Sequence, residues 1–248
     1  MIVKSPPTYH SAVSIDPLSA EASTAASTVR NKRGVASKLN LWPQHTTLTI
    51  AFMDTPAHEQ EFIKKIIEDT YGPLINLQLK FVEGSKGDIR ISTSKAETGT
   101  WSVIGTEALN IPPNEPTMHI DYPPDTGNLS ANILHEFGHA LGLLHEHQHP
   151  DRTLEFNIRE TYKHFENEYN WGVPRTYHNI FKKADPADVI TSPYDQQSIM
   201  HYAMNDKLLW KQPSTGANYV LSENDKTFLP TLYPHYNGRP RERPQTPR

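Results

Sequence analysis

His135, Glu136, His139, Gly142 and His145 stand in the order H-E-x-x-H-x-x-G-x-x-H, and that spacing describes a metal site. Two histidines four apart on a helix share one face. A glycine three residues further on lets the chain leave the helix through a conformation that only glycine enters cheaply. The third histidine then arrives from the turned chain. Three imidazoles around one point are the usual protein share of a catalytic zinc, with one position left open for water. Glu136, next to the first ligand, faces that open position instead of the metal. Water on such a metal has its pKa lowered to about 7, so hydroxide is available at neutral pH. Glu136 can accept its proton and pass it to a leaving amine. The metal and its neighbours stabilise the oxyanion of the attacked carbonyl. The chemistry is metal-assisted hydrolysis, with a peptide bond as the expected substrate. One zinc per chain is expected, and copper, nickel or cobalt can substitute at three histidines. The bland alternative is a chance H-E-x-x-H on a helix. Gly142 and His145 at their spacings weigh against it. So does the cost of burying three histidines whose rings lack partners.

The elements that must position these residues follow from periodicity. Residues 47–52 alternate as a strand, and Thr55-Pro56 resembles an N-cap with proline at the first helical position. Phe62, Ile63, Ile66, Ile67 and Tyr71 recur at helical spacing until Gly72-Pro73 ends the helix. Residues 77–82 and 89–93 alternate as strands around a turn at 84–87, and 101–104 and 117–121 are two more short strands. The motif helix follows, capped by Asn128 or Ser130, with Ile133, Leu134, Phe137, Ala140, Leu141 and Leu144 as its apolar positions. One further helix is expected at 158–169 and a last short one around 223–229. This is an α+β organisation with a cleft between two lobes. Residues 1–33, rich in Ser, Ala, Thr and Pro, read as an N-terminal arm or pro-segment. Residues 34–234 form the catalytic domain, with 34–145 as N-terminal lobe and 146–234 as C-terminal lobe. Its regular structure is expected from about residues 39–43, and 235–248 read as a disordered tail.

The bulk properties exclude several classes. A chain of 248 residues can bury a real core. A net charge of -4 argues against a general nucleic-acid binder. No apolar stretch is long enough to span a membrane, and residues 1–14 lack the apolar core of a secretory signal. The expected compartment is therefore the cytoplasm, unless a signal was removed or export is unconventional. The absence of cysteine excludes disulfides, Cys-ligated zinc and a thiol nucleophile. Protein or peptide substrates are expected, without nucleic acid or membrane partners, and the chain is expected to be a monomer.

The long histidine motif resembles the signature of the metzincin metallopeptidases, which carry a methionine turn further on. Ser198-Ile199-Met200-His201-Tyr202 supplies that turn here. This string, Glu146 directly after the third histidine, and Trp101-Ser102-Val103-Ile104-Gly105 resemble the astacin family in particular, over about residues 42–234. The resemblance implies a two-lobed zincin fold: an N-terminal mixed twisted sheet with a backing helix and an active-site helix, then an irregular C-terminal lobe. It implies a zinc-dependent endopeptidase. Met200 would form an apolar floor beneath the zinc, and Tyr202 a switchable fifth ligand that swings away to hydrogen-bond the tetrahedral intermediate. Glu146 would bind a new N-terminus if cleavage occurs near Gly34, where Lys32-Arg33 is either a processing site or a solvated pair.

Departures from the family pattern point to a cysteine-free microbial branch. Thr100 stands where the family segment usually has cysteine. His147 and His149 are extra histidines, readable as alternative metal ligands or as satisfied loop residues. Asp16 is the one candidate latency ligand in the arm. Residues 101–104 are the candidate edge strand for an extended substrate, and Arg152, Arg175, Lys207 and Lys211 either line the primed-side pocket or are solvated charges. The rival reading is a latent or catalytically silent zinc-containing peptide-binding protein.

Overall fold

A computed structural model describes residues 34–97, 99–122 and 128–235. Asp16 and Lys32-Arg33 lie outside the described residues, as does all of the tail beyond His235. The elements that frame the site begin with β1 (Val35–Ser37), β2 (Thr47–Phe52) and α1 (Ala57–Tyr71). β3 (Gln78–Val82), β4 (Ile89–Ser92), β5 (Trp101–Ser102) and β6 (Met118–His119) follow, then α2 (Leu129–Ala140). Beyond it come α3 (Ile158–Tyr169), α4 (Val173–Thr176), β7 (Val189–Thr191) and α5 (Glu223–Leu232).

Five strands form one sheet in the order β3-β2-β4-β6-β5. The first four run parallel, and β5 pairs antiparallel with β6 at the edge. β4 is buried along its whole length, as a central parallel strand requires. α1 buries Glu59, Ile63, Ile67 and Tyr71, every fourth residue, and packs on α2. The Tyr71 hydroxyl donates to the Leu134 carbonyl at 2.6 Å, and its ring meets Phe137. α2 is thus buried on most sides, as its apolar positions required.

The C-terminal lobe is mostly irregular, with α3 at the residues expected. Asn157 caps its start through the Glu160 N–H, and Asn170 ends it in the left-handed region (φ 54°). α5 opens on a capping box between Ser222 and Asp225. Its Phe228, Leu229 and Leu232 join the large core that also holds α1, α2 and the sheet.

Several boundaries differ from the expectations. Regular structure is already present at Val35–Ser37, ahead of 39–43: β1 pairs with β7, and Ala36 bridges Leu143. Three short residues with no period gave no sign of partners so distant in sequence. Strand 101–104 stops at Ser102, because Gly105 (φ 48°) bends the chain into a short helical turn over Gly105–Asn110. Thr55 does not cap α1; Pro56 holds that position and its carbonyl accepts from Glu59 and Gln60 N–H. Asn128 stands at the N-cap of α2 without a side-chain bond. Leu144 lies beyond α2, where its N–H donates to Val35 O. α4 and the π turn after it, Tyr177–Phe181, have no helical apolar period and were not expected.

Candidate active site

α2 carries His135, Glu136 and His139, then ends in a tight left-handed turn. Gly142 has φ 93°. Its N–H donates to His139 O and the next N–H, of Leu143, to Gly138 O, the paired bonds of a Schellman turn. Two last carbonyls of the helix end are taken by side chains from far away. Trp42 Nε1 donates to Ala140 O and the Tyr233 hydroxyl to Leu141 O, both at 2.7 Å.

The turn also fixes a ligand. Leu143 O, exposed by the reversal at Gly142, accepts from His139 Nδ1 at 2.8 Å. Ile199 O, from the methionine turn, accepts from His135 Nδ1 at 2.8 Å. With each Nδ1 committed as donor, each Nε2 presents a lone pair. One ring nitrogen from each of His135, His139 and His145 lies within 4.8 Å of the others, and His139 Nε2 is 3.0 Å from His145 Nε2. Burial lowers all three pKa values, His139 to about 3, with the neighbouring imidazoles adding to the effect on His139 and His145. The rings are therefore neutral at pH 7. Three neutral nitrogens aimed at one point, two of them oriented by outer carbonyls, fit a zinc ion.

Glu136 is buried beside this group, and the Ser102 N–H of β5 donates to its carboxylate. Burial pushes its carboxyl up to about 8. The strand alternation explains the contact: Val103 N–H turns inward to Thr117 O at 2.8 Å, so Ser102 N–H turns outward. Ser102, Ile104 and Thr100 line a cleft of about 710 Å³ that also takes in His135, Glu136, His139, His145 and Tyr202. Thr100 is buried, and its hydroxyl accepts from Asp121 N–H.

Met200 is buried, its sulfur against α2 at Gly138, where a Cβ would come within 2.6 Å of it. Tyr202 is half-buried, with its ring centroid 4.3 Å from that of His145 and 6.1 Å from that of His135. Burial, with Glu136 nearby, pushes its phenol up, so it is a hydrogen-bond donor at neutral pH. Glu146 is buried; its Oε1 accepts from Asp195 N–H at 2.8 Å, while Oε2 has no partner among the described residues. Burial pushes this carboxyl up to about 8.

The extra histidines lie outside the metal group. His147 Nε2 bonds Asn179 O at 2.8 Å, and His149 bonds Ser192 O and Asp151 N–H. Arg152 is turned inward to His147 O and Phe181 O, Lys207 and Lys211 are exposed away from the cleft, and Arg175 lines it. Sequence reasoning missed Asp225, whose carboxylate accepts from Ser198 Oγ, Ile199 N–H and Ser222 N–H and so sets the methionine turn. It also missed Asn40, whose carbonyl is wedged against both Gly105 and Gly142. Only the capping-box pattern at Ser222–Asp225 gave a sequence signal for the first, and nothing did for the second.

Converging neutral imidazoles suit a divalent metal, and with a buried carboxylate beside them they form the constellation typical of a zinc metallopeptidase. Comparison with known proteins narrows the class. Residues 34–213 match Astacin (Peptidase family M12A), and the chain belongs to that family. The structure of myroilysin is 33% identical, covering 82% of this chain and 100% of that one, with a TM-score of 0.76. Protein SpAN of Strongylocentrotus purpuratus is 31% identical over 143 residues, 57% of this chain and 18% of SpAN. Zinc metalloproteinase dpy-31 of Brugia malayi is 25% identical over 219 residues, 82% of this chain and 34% of that protein. The chain spans about a third or less of the length of these two curated relatives. Among the described residues no helix is long and apolar enough to cross a membrane.

Proposed function

We propose that this chain is a zinc-dependent endopeptidase acting as a monomer on protein or peptide substrates, with Glu136 as its general base. The observation that carries the reading is Glu136 itself: a buried carboxylate between the three-histidine group and the outer edge of β5. His135, His139 and His145 would hold zinc, which when bound acidifies water and polarises the scissile carbonyl. An extended substrate would lie along β5, whose outer edge lines the cleft. Glu136 takes the proton of the attacking water and delivers it to the leaving amine nitrogen. Tyr202, protonated at neutral pH, would donate to the oxyanion of the scissile carbonyl. Met200 would close the floor of the site from below α2.

Glu146 is assigned to an ammonium. A buried carboxylate oxygen without a partner is costly, and a cationic donor would satisfy it. The candidate donor is the amine freed by cutting ahead of Gly34. Gly34 O accepts from Ser192 N–H, and Ser192 is three residues from Asp195, which bonds Glu146. In this reading residues 1–33 are a removable arm and residues 34–234 the catalytic unit.

The test is cleavage of an unfolded protein by the purified chain beside Glu136→Ala, with metal content measured on both. One zinc in each, with cutting by the parent alone, supports the reading. If both hold zinc and neither cuts, the same assay on a chain lacking residues 1–33 separates a latent enzyme from a silent binding protein.

A further inference from the structure

The position of the Tyr202 ring needs an explanation that its backbone does not supply. Its carbonyl is fixed, accepting from His201 Nδ1 at 2.7 Å and from Thr215 Oγ1 at 3.2 Å. The ring still has freedom about its side-chain bonds. It lies beside two imidazoles whose own ring centroids are 5.3 Å apart. His145, tilted by 54°, belongs to the metal group, so its orientation answers to the metal. The other is His147, with ring centroids 4.5 Å apart and planes 21° from parallel. Tyr202 also packs against the hydrophobic clusters of Phe165, Trp171 and Ile180 and of Leu154, Met204 and Leu209.

His147 is fully buried and anchored from two directions. Its Nε2–H donates to Asn179 O of the π turn at 2.8 Å, and its own carbonyl accepts from Arg152 at 3.0 Å. Its Nδ1 has no partner among the described residues, so one polar bond and ring packing hold it in place. A plate fixed in this way limits where the phenol can settle.

We propose that His147 is a positioning residue for Tyr202: its imidazole, pinned to Asn179, is the surface on which the phenol ring rests. The proposal builds on the role given above to Tyr202. It also assigns work to a histidine that the metal group leaves out. A tyrosine that acts on the oxyanion affects the transition state more than substrate binding, so loss of its support lowers kcat with little change in KM.

The experiment uses the full-length, zinc-loaded chain and three variants: His147→Ala, His147→Phe, which keeps a flat ring, and His147→Gln, which keeps a donor for Asn179 O. Each is also made in a Tyr202→Phe background. Zinc content and melting temperature are recorded throughout, and the NMR ring signals of Tyr202, assigned by their loss in Tyr202→Phe, report the ring's surroundings. The alanine variant is expected to lose about fivefold in kcat, with KM within about twofold and the Tyr202 signals shifted. His147→Phe recovers most of kcat and His147→Gln does not. In the Tyr202→Phe background the alanine change costs nothing further. The proposal is overturned if Gln rescues and Phe does not, if the loss is the same in both backgrounds, or if the Tyr202 signals stay in place. If the alanine variant does not fold, the Phe and Gln pair decides alone. Should Tyr202→Phe by itself leave kcat unchanged, the assignment of Tyr202 fails, and the ring signals still report whether His147 holds the ring.

Discussion

Gly142→Ala tests whether one backbone turn serves both the fold and the metal. At φ 93° an L side chain is strained, at about 1–2 kcal/mol. The new Cβ would also stand 3.0 Å from Leu41 Cδ2 and 3.3 Å from Asn40 O. Leu41 can give by a few tenths of an ångström. Asn40 O has less room, because it accepts from Thr106 N–H at 3.0 Å and abuts Gly105. Overpacking of this kind adds about 1–2 kcal/mol, for a total loss of about 2–4 kcal/mol. The second effect is on the metal. Relieving the strain rotates the turn and draws Leu143 O away from His139 Nδ1. Losing such an outer partner weakens metal affinity by about 10–100-fold. Urea unfolding of the metal-free protein gives the first number, and zinc competition with a chromophoric chelator gives the second. Gly216→Ala is the control, since its Cβ meets nothing within 4 Å. A stability loss under about 1 kcal/mol would refute the strain argument. A full stability loss with unchanged zinc affinity would refute the relay through Leu143.

Other perturbations probe other contacts. Asp225→Ala strands the buried Ile199 N–H and Ser198 hydroxyl and the part-buried Ser222 N–H, and should cost about 2–4 kcal/mol in urea unfolding. Gly138→Ala drives a Cβ against Met200 Sδ at 2.6 Å, so it should destabilise despite the better helix propensity of alanine, and the double variant with Met200→Ala should lose less than the sum of the two. The metal-free fold should be most stable near about pH 6.5, as read by urea unfolding in pH steps. His139 and His147 are held down to about 3 and His201 to about 4, so the unfolded chain takes up protons below pH 6.5 that the fold refuses. Stability therefore falls with acid. Glu136 and Glu146, held up to about 8, act in the opposite sense: between pH 4.5 and 8 the fold keeps protons that the unfolded chain releases, so stability falls as pH rises through that window. Below pH 6.5 the histidines outweigh the two carboxyls, and above it the carboxyls act alone. Zinc, which favours the ionised Glu136, should flatten the alkaline side. An unchanged alkaline fall in the zinc-loaded protein would count against a metal next to that carboxylate.

Residue type and spacing carried the metal group because its logic is local. His135 and His139 share a helix face, and Gly142 returns the chain within one turn, so no distant contact had to be guessed. The sheet was legible for a similar reason: β2, β3 and β4 alternate or run apolar over four or more residues. β1 and β7 were not, because each is three residues long and stable only on the other. His147 shows where spacing stops helping. As one of three histidines at alternate positions from 145 to 149, it looked interchangeable with His149. The fold separates them: His149 is bonded through both ring nitrogens to backbone, while His147 is bonded through one and stacked on Tyr202.

What holds the site in register is largely backbone, and that explains which part of it the side-chain pattern could not reveal. His139 is oriented by Leu143 O, His135 by Ile199 O, His147 by Asn179 O, and Glu136 by Ser102 N–H. Every residue carries these groups, so no residue type marks them. They are placed instead by the features that bend or anchor the chain nearby: Gly142 for Leu143, Asp225 for Ile199, Gly105 for the end of β5, and the π turn for Asn179. It follows that changes at these bending and anchoring positions should alter metal affinity or kcat as strongly as many cleft substitutions, although Asp225 and Gly105 have no side-chain atom among the metal ligands. Conservative changes at Leu143, Ile199 or Asn179 themselves should do little, since each contributes through its carbonyl. Ile199→Val beside Asp225→Ala, compared by zinc affinity, separates the two: equal losses would mean that the side chain at 199, and not its carbonyl, orients His135.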